Sequence, residues 1–278
     1  MTHFQSADTQ QLDVTSELLF ATEDGKAPTV IIPVEDEAGV RRGGLNLRPV
    51  SIFDATTKAD TFALDEHGFA FLNQPSSVVD FENSEEVVGT YYPEIEAIVA
   101  KMTGASEVEI FDHTIRVTDP TTSYRRPASH AHNDYTVTSA PSRLADMIGD
   151  ARADDWLKDR VVQVNVWRPI AEPVEEMPLA LLDASSIESK DLVETKLINE
   201  RQGGRIGQIY SVRHAEGQRW FYFPKMKRSQ AILIKGYDSA EDGRARFTPH
   251  SAFVDPNTPA SPAPRRSIEV RTFARVPL

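Results

Sequence analysis

The sequence predicts a mainly β fold with flanking helices (α+β), of the jelly-roll type also called a double-stranded β-helix or cupin-like barrel. Beyond Arg160, short β-rich segments alternate with turn residues, as in β-sandwiches and barrels. Residues 108–119 add one or two strands, and two segments with helical periodicity flank them. About eight strands with helices near the start is the composition that a jelly roll requires. The β-rich segments are VVQVNVWRPI, PLALLDA, RIGQIYSVR, RWFYFPKM, QAILIKGYD, ARFTPHSAFVD and RSIEVRTFARV.

Two segments have the spacing of amphipathic helices. Residues 85–102 place apolar side chains three and four positions apart, and Pro93 lies where a first helical turn tolerates proline. Residues 142–159 carry Leu144, Met147 and Ile148 on one face, which predicts a second helix. Both helices are expected to support the barrel.

The chain is expected to hold one domain, because its 278 residues contain no convincing internal linker. Residues 1–50 are polar and mixed, and they predict an N-terminal arm packed on the barrel. Residues 51–278 would then form a single barrel domain with its helical buttress. Within it, the turn at His67-Gly68 is expected to lead into a strand.

Composition excludes several classes of function. The net charge is −12 and there is no run of Lys or Arg that could follow a phosphate backbone, so nucleic acid is not expected as a partner. The absence of cysteine excludes disulfides, a thiol nucleophile, iron–sulfur clusters and Cys-type zinc sites. The N-terminus shows no targeting pattern and no segment has membrane-spanning length, so the expected location is the cytoplasm, without membrane attachment.

One motif predicts a metal site that uses His and Asp. In His132-Asn133-Asp134, strand alternation would send the imidazole and the carboxylate to the same face. His250, which follows in the C-terminal strands, would complete a two-His-one-carboxylate triad. Such a triad leaves adjacent coordination positions for an oxoacid and dioxygen. An H-x-D pair alone is weak evidence, because short motifs arise by chance.

Two alternatives for the metal site stay open. His214-Ala215-Glu216 is a competing pair, although it precedes a Gly217-Gln218 turn where solvent exposure explains the polar residues. His130 would face the same way as His132, and it is either part of another metal grip or a hydrogen-bonding neighbour of the ligands.

A carboxylate-binding pair is expected after His250. Strand alternation places Arg265 and Ser267 on one face, and together they could hold the distal carboxylate of 2-oxoglutarate. The alternative is a surface strand whose polar face also carries Glu269 and Arg271 in ion pairs.

Four further residues are candidates for substrate binding. Asn165, Trp167 and Arg168 place polar or amphipathic groups in an apolar strand, and Tyr237 closes another strand near the expected pocket mouth. The alternative for Trp167 is core packing, and for Arg168 it is satisfaction at the strand end.

In these motifs the chain resembles the hydroxylase/desaturase family that includes the cephalosporin 7α-methoxylase component and fungal gibberellin desaturases. Arg266 stands where that family usually has Glu, which leaves Arg265 and Ser267 intact. The segments that carry the resemblance are YYPEIEAIVAKMTGASEVEIFDHTIR, HNDYT, VNVWRPI, RWFYFPKM, LIKGYDS, PHSAFVDP and RRSIEVRTFAR.

The resemblance implies a non-haem oxygenase that uses Fe(II), 2-oxoglutarate and O2. The reaction would be hydroxylation, desaturation or a related oxidation of a small secondary metabolite, and a homodimer is left open. The alternatives are a cupin-like iron enzyme that does not use 2-oxoglutarate and a non-catalytic β-barrel binding protein. A zinc hydrolase is also conceivable, but neither an H-E-x-x-H helix nor a nucleophile elbow is present.

Overall fold

The computed structural model describes residues 13–22, 28–32, 40–42, 44–200 and 203–278. Half of the predicted N-terminal arm is therefore described, and the remainder of residues 1–50 lies outside these ranges. No helix among the described residues is long and apolar enough to cross a membrane.

The described chain contains fifteen strands. They are β1 (Val14–Ala21), β2 (Thr29–Ile32), β3 (Val40–Arg42), β4 (Leu45–Asp54), β5 (Phe69–Asn73), β6 (Glu107–Val117), β7 (His132–Asn133), β8 (Arg160–Pro169), β9 (Leu179–Leu182), β10 (Leu192–Asn199), β11 (Arg205–Val212), β12 (Trp220–Tyr222), β13 (Gln230–Asp238), β14 (His250–Ala252) and β15 (Arg266–Val276). The helices are α1 (Ser84–Glu86), which runs through a π-helical turn (Val87–Tyr91) into α2 (Tyr92–Thr103), then α3 (Ser139–Ile148) and α4 (Asp150–Trp156), with 3-10 turns at Thr56–Thr61, Ala184–Ser186 and Ser189–Asp191.

Two sheets form the barrel, and the predicted mainly β jelly roll is confirmed. The larger sheet has the order β1-β4-β12-β9-β14-β7-β11-β10-β2-β3, and the smaller has the order β5-β13-β8-β15-β6. Apolar side chains of both sheets meet in one cluster, in which Leu181 of β9 is grouped with Trp167 of β8 and Ile234 of β13. The interior of the barrel therefore lies between the sheets.

Strand alternation gives the smaller sheet two chemically different faces. On β8, Val162, Val164 and Val166 belong to a buried cluster with α2, so they cover the outer face of the sheet. The intervening side chains point into the barrel, where Asn165 and Trp167 are buried. This register decides which residues of the sheet can reach a site inside the barrel.

The helices follow the predicted pattern with one correction. Pro93 lies in the first turn of α2, which ends at Gly104 in the left-handed conformation (φ 76°). The segment predicted as one helix over 142–159 is instead two, because Gly149 (φ 84°, ψ 149°) leaves helical geometry between α3 and α4.

The N-terminal strands extend the larger sheet. β1 pairs with β4 from Val14↔Ile52 to Ala21↔Leu45, and β4 pairs in turn with β12. The predicted boundary between residues 50 and 51 falls inside β4. These strands carry many polar residues, so the sequence alone suggests an arm and does not reveal them. A division of the chain at residue 50 stays a prediction.

A buried ion cluster ties the end of β13 to its neighbours. Lys235 is fully buried, and its Nζ donates to Asp238 Oδ2 at 2.7 Å and to Asp65 Oδ1 at 2.6 Å. Asp238 is also fully buried and accepts a hydrogen bond from Arg160 Nη2 at 2.6 Å. Each buried charge therefore has a partner of opposite sign, as burial of a charge requires.

Candidate metal centre

The structure brings His132, Asp134 and His250 together. His132 in β7 lies directly opposite His250 in β14 in the antiparallel ladder. Asp134 follows at the bend after β7, which is shorter than the strand that the alternation argument assumes. One ligand atom from each residue lies within 4.8 Å of the others, and Asp134 Oδ1 is 3.5 Å from His132 Nε2.

Both imidazoles are oriented by backbone carbonyls. His132 Nδ1 donates to the carbonyl of His130 at 2.8 Å, and His250 Nδ1 donates to that of Thr248 at 3.1 Å. Since a carbonyl can only accept, each Nδ1 carries the proton and each Nε2 is left as a metal ligand. Burial lowers the pKa of His250, and the nearby His132 lowers it further, which favours the neutral imidazole that a metal needs.

The Asp134 carboxylate is oriented in the same way. Asn165 Nδ2 donates to Asp134 Oδ2 at 2.6 Å, and Arg271 Nε lies 3.7 Å from the same oxygen. Burial alone would raise the pKa of Asp134, but His132 and the positive charge of Arg271 outweigh it and hold the pKa well below its usual range. Asp134 is thus an anion with Oδ1 available, and the donor set suits Fe(II).

Replacement of Asn165 by leucine is expected to weaken Fe(II) binding by about 10- to 100-fold, because residues that orient metal ligands have effects of this size. Leucine keeps the branched shape of asparagine but cannot form the hydrogen bond to Asp134. Anaerobic titration with Fe(II) measures the change. Asn257→Leu, in an exposed turn, is the control. Equal affinities of Asn165→Leu and wild type would contradict this role.

Arg265 lines the approach to the three ligands, and Ser267 lies beside Arg265. Arg265 belongs to the wall of the pocket that also contains His132, Asp134 and His250. Arg265 and Ser267 are both buried, and Arg265 Nη2 lies 3.4 Å from Ser267 Oγ. The guanidinium also packs over the ring of Trp167, 5.1 Å from its centroid. Burial lowers the pKa of Arg265 to about 9, so the group is cationic at neutral pH.

The four predicted substrate-binding residues lie in different parts of the structure. Trp167 lines the pocket, whereas Asn165 holds the Asp134 carboxylate. Arg168 points to the helical side of the sheet, where Nε donates to the Tyr91 hydroxyl at 2.9 Å. Tyr237 packs in an apolar cluster beside α3 and α4. Placing Arg168 in the pocket is wrong because neighbours on a strand face opposite sides.

The alternative metal ligands lie outside the convergent group. Among the described residues, the group that could hold a metal consists of His132, Asp134 and His250. The His130 ring stacks on His132 at a centroid distance of 4.3 Å. His214 precedes a turn, as expected, and packs edge-on against Phe20.

Sequence reasoning misses two kinds of residue around the site. Arg116 and Glu269 line the pocket, and Arg271 bridges Glu269 and Asp112 beside Asp134. The signal is present as alternating polar residues in β6 and β15, but a barrel interior and a solvent face give the same pattern.

Asn133 is a second residue that sequence reasoning misses, and it connects the segments that carry the proposed ligands. Its Oδ1 accepts the Thr248 backbone N–H at 3.0 Å, and its Nδ2 donates to the Gly236 carbonyl at 2.8 Å. Thr248 in turn supplies the carbonyl that orients His250. Asn133 therefore joins β7 to β13 and to the residues that enter β14.

A jelly-roll barrel with two histidines and one carboxylate around an open pocket is the architecture of non-haem iron oxygenases. The comparisons with known proteins agree. A family model described as "Oxidoreductase/YMDC permease-like domain" matches residues 18–275. Hydroxylase/desaturase asaB of Aspergillus flavus is 33% identical over 84% of this chain and 82% of its own. The alpha-ketoglutarate-dependent dioxygenase phiK of a fungal species is 29% identical over 98% of this chain and 99% of its own.

A solved structure agrees with these relatives. The iron and alpha-ketoglutarate-dependent endoperoxidase NvfI superposes with a TM-score of 0.85 at 25% identity, covering 96% of this chain and 99% of that one. The chain belongs to the Fe(II)/2-oxoglutarate-dependent hydroxylase/desaturase family. It is an oxidoreductase that uses Fe(II), 2-oxoglutarate and O2 on a small molecule, as predicted. The alternatives that dispense with 2-oxoglutarate or catalysis are not favoured, and the likeness to the cephalosporin 7α-methoxylase component stays a prediction.

Proposed function

We propose that His132, Asp134 and His250 bind Fe(II) and that Arg265 and Ser267 bind the distal carboxylate of 2-oxoglutarate. One observation carries the proposal, namely that convergent ligand atoms and a buried cationic guanidinium line the same pocket. A guanidinium matches a carboxylate with parallel hydrogen bonds, and the Ser267 hydroxyl can add a third.

The residues of the chain then have distinct tasks. When bound, Fe(II) with 2-oxoglutarate and O2 supplies an oxidant able to remove hydrogen from an unactivated C–H bond. Asn165 and the carbonyls of His130 and Thr248 hold the ligand atoms toward the pocket. Trp167 covers the Arg265 guanidinium and keeps water from the charged end of the co-substrate.

The substrate is proposed to be a small secondary metabolite. A further relative, 41% identical over 43% of this chain, is named Aspirochlorine biosynthesis protein N, of Aspergillus oryzae. Apolar groups for substrate contact come from Ala128, Leu179 and Ala252 in the pocket wall. We also propose the cytoplasm as the location. Light scattering of the purified protein distinguishes a monomer from the homodimer that the sequence leaves open.

The test of the carboxylate site is Arg265→Gln. Loss of charge-assisted hydrogen bonds worth about 1.5–3 kcal/mol should raise the dissociation constant for 2-oxoglutarate roughly 10- to 100-fold. Anaerobic titration of the Fe(II) protein with 2-oxoglutarate measures it through the visible absorption of the iron chelate. Fe(II) affinity without 2-oxoglutarate should stay unchanged.

Arg266→Gln is the matched control, because Arg266 is the next residue but pairs with Glu82 at the surface. If wild type binds Fe(II) but no 2-oxoglutarate, the proposed co-substrate site does not exist. If Arg265→Gln and Arg266→Gln have equal effects, Arg265 does not bind the distal carboxylate.

A further inference from the structure

A second arginine lines the same pocket. Arg116 in β6 lies directly opposite Ser267 in β15, so its side chain enters the barrel beside the proposed carboxylate site. Its Nη1 donates to the Arg126 backbone carbonyl at 3.0 Å. Within the described part of the chain, no carboxylate oxygen lies within 4.0 Å of this guanidinium, which is the limit for an ion pair.

The nearest acidic group is already engaged by another cation. Glu269, the carboxylate with the largest influence on Arg116, forms its close ion pair with Arg271. Burial lowers the pKa of Arg116, and the attraction of Glu269 offsets this only in part. A partly buried guanidinium without a close counter-ion is unfavourable, so the pocket is suited to receive an anion.

Arg116 shares the pocket wall with Arg265 and with the three proposed metal ligands. Burial lowers the pKa of Arg265 most and the charge of Arg116 lowers it further, whereas the Asp134 carboxylate raises the pKa of Arg116. A 2-oxo acid that places its distal carboxylate on Arg265 and its oxo-acid end at the metal ligands therefore lies in the pocket that Arg116 also lines. The carboxylate at the 2-oxo end of this ligand needs a hydrogen-bond donor in this region.

We propose that Arg116 binds the carboxylate at the 2-oxo end of 2-oxoglutarate, an inference that rests on the function proposed above. Arg265 and Arg116 then divide the two carboxylates of the dianion between them. Arg116 determines affinity for any 2-oxo acid, whereas Arg265 selects those with a distal carboxylate.

Two ligands that differ by one carboxylate separate these roles. 2-Oxopentanoate has the chain length and the oxo-acid end of 2-oxoglutarate but lacks the distal carboxylate. Binding of each ligand to the anaerobic Fe(II) protein is followed by tryptophan fluorescence, since Trp167 lines the pocket, and by calorimetry. The variants are Arg116→Gln, Arg116→Lys and Arg265→Gln, with Arg266→Gln as the control of equal charge change.

Arg116→Gln should weaken both ligands by a similar factor of about 10 to 100. Arg265→Gln should weaken 2-oxoglutarate alone. Arg116→Lys keeps the charge and should recover part of the loss. Glutamine retains a donor for the Arg126 carbonyl, and unchanged thermal midpoints of the variants show that the fold is intact.

Three outcomes overturn the inference. They are unchanged affinities in Arg116→Gln, weakening of 2-oxoglutarate but not of 2-oxopentanoate, and weakening in Arg116→Gln that is matched by Arg266→Gln. Failure of wild type to bind 2-oxoglutarate would instead refute the proposed function. If Arg116→Gln does not fold, Arg116→Lys is compared with wild type instead. Lysine keeps the charge but not the geometry of the guanidinium, so binding of both ligands must still be weaker than in wild type.

Discussion

Replacement of His250 by alanine is expected to abolish stoichiometric Fe(II) binding and to reduce oxidation of any substrate to background. His250 supplies one of three convergent ligand atoms, and the two that remain belong to His132 and Asp134, two positions apart in one segment. The loss of affinity should exceed the roughly 10- to 100-fold expected for Asn165→Leu, because that variant keeps all three ligands and removes only the hydrogen bond that orients Asp134. Anaerobic Fe(II) titration, with bound metal counted after gel filtration, measures the effect, and His132→Ala should behave alike.

His214→Ala is the control for this experiment. It removes the histidine of the competing His214-Ala215-Glu216 pair, whose ring packs against Phe20. Fe(II) stoichiometry should remain that of wild type. Retention of iron by His250→Ala, or its loss from His214→Ala, would place the metal elsewhere in the chain.

Replacement of Asp238 by alanine is expected to destabilise the protein by about 3–5 kcal/mol, the cost of leaving a buried charge without its partner. Lys235 and Arg160 both donate to this carboxylate, and Lys235 has no exposed surface. Asp65, the other acidic partner of Lys235, has a side chain that is 52% exposed, so it compensates poorly. Urea unfolding in the presence of EDTA measures the free energy without a contribution from bound metal.

Two variants check the cause of this effect. Asp242→Ala breaks an ion pair with Arg244 at the surface and should leave the free energy of unfolding nearly unchanged. Lys235→Met replaces the buried cation by an apolar side chain, while Asp238 keeps Arg160, and it should cost less than Asp238→Ala. Equal destabilisation by Asp238→Ala and Asp242→Ala would show that burial of the cluster does not matter.

The C-terminal strands could be predicted because their burial pattern is local. Segments such as QAILIKGYD carry enough apolar residues to identify β13 without knowledge of its partners. β1 and β4 could not be predicted, because each buries only alternate side chains and carries few apolar residues in a row. Their pairing also joins residues that are far apart in the chain. The break at Gly149 could have been predicted, since glycine inside a helical pattern weakens it.

The candidate site divides in the same way. Residue type, spacing and family resemblance suffice to choose His132, Asp134, His250, Arg265 and Ser267. The structure brings the first four to one pocket and places Ser267 beside Arg265. Arg116 could not, because the sequence does not reveal that one face of β6 looks into a barrel. That Arg168 faces the helical side of the sheet could not be predicted, because the strand boundary alone does not tell which face is interior.

The hydrogen bonds of Asn133 have a consequence for the order of events during synthesis. Its amide joins β7 to Thr248, which lies 115 positions later, and to Gly236, 103 positions later. The first two proposed ligands therefore leave the ribosome long before the groups that fix them. Contacts between such distant positions form slowly. Iron capture by the proposed ligands is then expected to be a late event that reports completion of the barrel. A nascent chain ending before β13 lacks both the third ligand and the partners of Asn133 behind the first two.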